Sequence, residues 1–152
     1  MQGKAFVEKN FGQIWPVHLA QFTRLLVELR SAFDGDLDLL LVMAVIGERT
    51  RPEGWSPELL TYRQLTRGDA DAHYQTPINI QSVADYSGIP RETVRRKVKV
   101  LQERGWVDRD ATGHLGISRR AAEDLNAATG TSIKYLAALA DAIIVLQSRP
   151  DA

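Results

Sequence analysis

The sequence predicts a mainly α-helical protein that carries one small β-hairpin. Apolar residues recur at steps of three and four over several long stretches, which is the spacing of a single helix face. After Gly105, in contrast, two short apolar runs flank a polar segment with Gly113, which is the pattern of a hairpin. At 152 residues the chain has the size of one ordinary domain. We therefore expect one domain over residues 1–152.

The first long helix is predicted over residues 14–34 by a stripe of apolar side chains. Its members alternate between steps of four and three: Trp15, Leu19, Phe22, Leu26, Leu29 and Phe33. Pro16 suits the first turn of this helix, where its missing N–H costs no hydrogen bond. We interpret this aromatic stripe as a dimerisation element.

A second helix is predicted from Leu37 to about Arg49, after Asp34-Gly35-Asp36 interrupts the first pattern. Asp36 is a suitable N-cap, and the helix is apolar nearly all round, so it belongs in the core. Residues 50–77 then read as an insertion, with a short helix over 57–67 and a polar connection over 68–77.

The segment from Asn79 to Ser118 is the most informative part of the chain. Asn79 is expected to cap a short helix to Tyr86, and Gly88 to reverse the chain. Pro90 begins a second helix that Gly105 ends. On that helix Val94, Val98 and Leu101 form a buried stripe, so the basic residues face outward. The runs 106–107 and 115–117 are expected to pair as strands.

Charge is distributed unevenly along the chain, although the formal net charge is zero. From Pro90 to Arg120 there are nine Lys and Arg residues against four acids, which gives +5. Like charges along one helix repel each other. A partner rich in negative charge would offset that cost, and the geometry indicates double-stranded DNA.

Two further helices are predicted after the hairpin, over residues 119–148. Ser118 is expected to cap a helix to about Ala128, and Gly130 to stop it. Thr131 or Ser132 then begins a last helix to about Gln147. Its broad apolar face would be exposed in so small a domain unless a partner covered it. We interpret these helices as a second dimerisation element.

The run GIPRETVRRKVKVLQERGWVDRD resembles the winged helix–turn–helix of bacterial transcription regulators, in the segment shared by the MarR, GntR and IclR groups. The order of elements around it is most similar to MarR-type regulators, from which the insertion at 50–77 departs. The resemblance implies a winged helix–turn–helix over residues 36–118 with flanking N- and C-terminal helices.

The resemblance also implies roles for individual residues. The second helix would enter the major groove, with its N-terminal residues nearest the bases. Arg91 and Arg95 are candidates for guanine, whereas Glu92 would accept from cytosine N4 or balance Arg96. The candidates for phosphate or wing contacts are Thr93, Arg96, Lys99, Arg109, His114, Arg119 and Arg120. A shift of one residue in register would change each assignment.

Other functional classes lack support in the sequence. There is no cysteine, which removes disulfides and thiol nucleophiles, and no nucleophile–base motif, phosphate loop or zinc spacing is present. We therefore expect no enzyme, cofactor or metal. The longest apolar run, Leu37 to Ile46, is too short to span a membrane, and with no signal sequence we expect a cytoplasmic protein.

These observations predict a dimeric, sequence-specific transcription regulator on a roughly two-fold symmetric operator. A small-molecule effector is left open as a further partner. One alternative is a winged-helix module for protein interaction, in which the basic helix faces an acidic protein. Another is a replication or plasmid-maintenance protein that binds DNA without regulating transcription.

Overall fold

The structure, a computed structural model, describes residues 2–49 and 78–149. Within these ranges it confirms the predicted class: helices with flanking terminal helices and one antiparallel hairpin. The elements are α1 (Gln2–Lys9), α2 (Phe11–Ala32), α3 (Leu37–Arg49), α4 (Ile80–Ser87), α5 (Arg91–Glu103), β1 (Val107–Arg109), β2 (Leu115–Ile117), α6 (Arg119–Asp124) and α7 (Asn126–Gln147). The predicted helix over 57–67 and the connection over 68–77 lie outside the described residues.

The chain divides into two compact units. The terminal unit consists of the described residues up to Ala32 and from Ala127 onward, and the central unit of those from Phe33 to Asn126. The expectation of a single domain stays a prediction.

The central unit has the hydrophobic core. Its largest fully buried side chains come from α3, α4 and α5 and from the first residue of the turn before α3: Phe33, Leu39, Val42, Ile46, Val83, Val94, Val98 and Leu101. The α3 members recur at steps of three and four, so one helix face makes the contact. The predicted central position of α3 is therefore confirmed.

A tight turn leads into α3. Asp34 and Gly35 both have positive φ, at 53° and 79°, and the Asp36 N–H donates to the Phe33 carbonyl at 2.9 Å. Oδ1 of Asp36 then accepts from the Leu39 N–H at 2.9 Å. Asp36 is thus the N-cap that the sequence predicted.

The hairpin pairs Val107 with Ile117 and Arg109 with Leu115. Trp106 was predicted in the first strand but precedes it. Its buried ring packs edge-on against Phe33, with centroids 5.4 Å apart, and its indole N–H donates to Asp124 at 2.8 Å. The Trp106 side chain therefore packs in the core and also holds α6 through a hydrogen bond.

The terminal unit contains the long helices α2 and α7, which run antiparallel. Near one end Nη1 of Arg149 donates to Gln13 at 3.0 Å, and further along Nδ1 of His18 lies 2.9 Å from the Tyr135 hydroxyl. Helix α2 begins at Phe11, a turn earlier than predicted, so Pro16 lies inside it. The expected place of Pro16 in the first turn is wrong.

The predicted break at Gly130 is also wrong, because α6 ends at Asp124 and α7 runs through Gly130 to Gln147. The hydroxyls of Thr131 and Ser132 donate to the carbonyls four residues earlier, at 3.2 and 2.9 Å. These hydroxyls act inside a helix rather than capping one. A single glycine costs a helix only about 1 kcal/mol relative to alanine.

Helix α7 is apolar on two faces. Tyr135, Leu139 and Leu146 are half-buried on the side of α2, whereas Ile133, Leu136 and Ile144 are exposed, Leu136 by 61%. Contrary to expectation, α7 is long and apolar enough to cross a membrane by length and composition, and it alone qualifies among the described residues. Core helices of soluble proteins pass the same test. A helix apolar on all sides normally has partners on all sides.

Candidate nucleic-acid interface

Helices α4 and α5 form a helix–turn–helix whose local signals all have the predicted geometry. Oδ1 of Asn79 accepts from the Ser82 N–H at 2.9 Å and caps α4. Gly88 has φ +74°, and its N–H donates to the Ala84 carbonyl at 2.9 Å. Pro90 is the N-cap of α5. The turn therefore places α5 across α4 with little freedom in the connection.

The orientation of α5 follows from its buried stripe. Val94, Val98 and Leu101 are at most 1% exposed, and they fix which side of the helix meets solvent. The outward residues include most of the predicted DNA contacts: Arg91, Glu92, Arg95, Arg96 and Lys99 are exposed, and Thr93 is half-buried. The structure thus brings these candidates together on one accessible surface, which we call the α5 outer face.

Glu92 and Arg95 form a forked ion pair on this face. Nε of Arg95 lies 3.1 and 3.0 Å from the two carboxylate oxygens of Glu92, and Nη2 lies 2.5 Å from Oε1. Hydrogen bonding from Arg95 lowers the pKa of Glu92, and the same bond raises the pKa of Arg95. The ionic partner of Glu92 is therefore Arg95, not the predicted Arg96.

Two basic residues, one within α5 and one just after its C-terminal end, form ion pairs with other residues of the central unit. Nζ of Lys97 lies 2.6 Å from Oδ2 of Asp36, and Nη2 of Arg104 lies 2.6 Å from Oδ2 of Asp34. The Arg104 guanidinium also lies over the Trp106 ring, 5.0 Å from its centroid. Two of the nine positive charges in the +5 segment are thus balanced by acids from the turn before α3. Sequence reasoning missed these pairs.

The wing turn is organised by Asp110. Its Oδ1 accepts from the N–H groups of Thr112 and His114, both at 2.9 Å, and from the Thr112 hydroxyl at 2.6 Å. These bonds, chiefly the one from the Thr112 hydroxyl, hold the pKa of Asp110 below its usual range. Gly113 has φ +87°, and a β-carbon there would lie 3.5 Å from Nη2 of Arg109. Both predicted wing residues, Arg109 and His114, therefore lie at this turn.

Helix α6 begins beside the wing. Ser118 caps it, accepting from the Ala121 N–H at 3.3 Å, while its hydroxyl donates to the Gly105 carbonyl. Arg119 and Arg120 are exposed, and each faces an acid one turn on, Glu123 at 3.9 Å and Asp124 at 3.3 Å. Such exposed pairs are weak and exchange readily.

Within residues 2–49 and 78–149, Arg91, Lys99 and Arg109 form no ion pair, and Arg96 makes only a 3.4 Å bond to the Thr93 hydroxyl. These four cations are therefore available to an external anion. The same ranges contain no group of three or more potential ligands that could hold a metal ion.

Comparison with known families agrees with this geometry. Residues 72–111 match the IclR helix–turn–helix domain. The matched segment includes α4, α5 and the first strand of the wing, and it supports a DNA-binding transcriptional regulator of the winged helix–turn–helix kind. It does not support the MarR group specifically. No curated protein and no solved structure shows significant similarity to the chain.

Proposed function

We propose that the protein is a dimeric, sequence-specific transcription regulator that inserts α5 into the major groove of its operator. One observation carries the proposal. In a segment of IclR helix–turn–helix type, a fully buried stripe on α5 turns Arg91, Arg95 and Arg96 to the accessible side. The N-terminal half of such a helix is where bases are read.

The outer-face residues divide by chemistry. Arg91 and Arg95 are suited to the paired acceptors of guanine, while Thr93, Arg96 and Lys99 are suited to phosphate oxygens. At the wing, Arg109 and His114 would meet the backbone or the minor groove. Arg119 would leave its ion pair with Glu123 and bind a DNA phosphate instead.

The terminal unit supports dimerisation through α2 and α7. Phe11, Trp15, Leu19, Phe22 and Leu26 are between 37% and 50% exposed and lie along one side of α2. The exposed face of α7 adds to this apolar surface. Monomers rarely leave so much apolar surface open to water, and a two-fold dimer would present two recognition helices to paired half-sites. The MarR-like placement of helices before and after the module is part of this proposal.

A second copy of the chain covers this surface better than a lipid bilayer does. Lys134 and Asp141 lie within the apolar stretch of α7, both exposed. Each charge near the bilayer centre would oppose insertion by about 2.5–3.5 kcal/mol. A protein partner leaves such charges at the rim of the interface. A DNA-binding regulator also has its target in the cytoplasm.

DNA binding is tested by a salt titration with a mixed-sequence duplex of about 30 base pairs. Affinity should fall steeply with salt, and Arg96→Ala should reduce the slope of log K against log salt by about 0.9, the value expected for one phosphate neutralised by one cation. Lys4→Ala on α1 removes the same charge far from α5 in sequence and should leave the slope unchanged. Equal slopes for the wild type and Arg96→Ala would contradict the proposed phosphate contact. Binding to an acidic protein but not to DNA would favour the interaction-module alternative.

Dimerisation is tested by sedimentation at micromolar concentration. We expect the wild type to be a dimer and Leu136→Glu to be a monomer, because the substitution places a charge on the exposed face of α7. Leu37→Glu is the matched control, since Leu37 is 58% exposed in the central unit. A monomeric wild type would refute the dimer.

A further inference from the structure

The forked pair between Glu92 and Arg95 raises the question of why a carboxylate lies on a face that would approach DNA. Glu92 is exposed in the first turn of α5, one turn before Arg95. A carboxylate there repels phosphate and weakens binding to any sequence. A compensating role in specificity would justify its position.

The geometry leaves the base-reading edge of Arg95 open. A guanidinium has one edge formed by Nε and one terminal nitrogen, and a second edge formed by the two terminal nitrogens. Glu92 occupies the first edge through Nε and Nη2. The second edge still presents two parallel N–H donors, which match O6 and N7 of guanine.

Two other arrangements fit less well. A bond from cytosine N4 would have to use the remaining lone-pair capacity of the Glu92 carboxylate, in competition with the three contacts that Arg95 makes to its two oxygens. An unpaired Arg95 would sample many rotamers and would lose more conformational entropy on binding a base. Both side chains are exposed, by 61% and 67%, so the pair favours one direction of the guanidinium before DNA arrives without locking it.

We propose that Glu92 is a positioning residue that holds Arg95 in the orientation for reading a guanine in the major groove. The inference rests on the proposed function, since it assumes that α5 reads bases. Glu92 does not contact DNA in this arrangement and acts through Arg95 alone.

The test uses selection from a random duplex pool by the full-length wild type, followed by affinity measurements on single-base variants of the selected site. Arg95→Ala should remove the preference at one G·C pair. Glu92→Gln should weaken the preference at that same pair by about fivefold or more, while raising affinity for unrelated duplexes. Glu103→Gln, an exposed carboxylate at the end of α5, should raise affinity for unrelated duplexes without changing any preference.

The double variant decides how Glu92 acts. If Glu92 works through Arg95, adding Glu92→Gln to Arg95→Ala should change no preference further. Loss of preference at a second base pair would mean that Glu92 reads a base itself, which overturns the inference. If Glu92→Gln keeps the wild-type preference at that G·C pair, the inference is also overturned. The Glu92–Arg95 pair would then be an ordinary surface ion pair with no role in base recognition. If the wild type selects no duplex, the proposed function fails, and the inference fails with it.

Discussion

Replacing Asp36 should destabilise the central unit in two separable steps. Oδ1 of Asp36 caps α3 through the Leu39 N–H at 2.9 Å, and Oδ2 pairs with Nζ of Lys97 at 2.6 Å. Loss of an N-cap costs about 1 kcal/mol. The ion pair is 24% and 34% exposed, so solvent screening reduces its contribution to about 1 kcal/mol, between an exposed pair and a buried charged bond. Asp36→Ala should therefore lose about 2 kcal/mol, the sum of these two terms.

Asp36→Asn keeps the cap and removes the charge, so it should lose only about 1 kcal/mol. The assay is urea unfolding followed by Trp106 fluorescence, in a background where Trp15 and Trp55 are phenylalanine. A loss of about 1 kcal/mol should lower the midpoint by about 0.5 M. Asp38→Asn, an exposed carboxylate in the same helix turn, is the control and should change little.

The Asp36 pair also predicts a pH dependence. Burial opposes ionisation of Asp36, but hydrogen bonds from Lys97 and the Leu39 N–H outweigh it, so the folded-state pKa lies below the ordinary value. The group therefore stabilises the fold above a pH of about 4, and this contribution is lost as pH falls through the folded pKa. Asp36→Asn should show a smaller loss of stability on acidification than the wild type. Equal stability of the wild type and Asp36→Asn at pH 7 would refute the reasoning.

Three further substitutions have distinct expected effects on urea unfolding. Leu101→Ala should lose about 2–5 kcal/mol, because the side chain is fully buried in α5; a loss below about 1 kcal/mol would argue against this core. Asn79→Ala should lower the free energy of unfolding by about 1 kcal/mol because it removes the α4 cap, while Asn79→Asp should stay near the wild type. Equal losses in the two variants would show that the Asn79 side chain does not stabilise the helix as a cap. Gly88→Ala should lose about 1 kcal/mol from backbone strain alone, since no atom lies within 4 Å of the added carbon, and Gly88→Asn should lose less.

The central helix–turn–helix could be predicted because its signals are local. Asn79, Gly88 and Pro90 each favour one backbone conformation by their own chemistry, and the structure shows a cap, a positive φ and a helix start at those positions. The stripe of Val94, Val98 and Leu101 needed only helical spacing. The outward direction of the α5 arginines followed from that stripe.

Features that depend on distant residues could not be predicted. Lys97 and Arg104 find their aspartates 61 and 70 residues away, and no local pattern marks such pairs. Glycine favours helix ends, which predicts a stop at Gly130, yet one glycine costs a helix only about 1 kcal/mol relative to alanine, and α7 continues through it. The Glu92 partner was misassigned because spacings of three and four both bring side chains together on a helix.

The turn from Phe33 to Asp36 is held to α5 by two ion pairs within the central unit. The chain leaves α2 at Ala32, and within four residues Asp34 and Asp36 hold α5 near its middle and just past its C-terminal end. Two consecutive residues of positive φ give this turn few alternative conformations. The start of α3 is therefore fixed to α5 by two ion pairs in addition to the contacts of the apolar core.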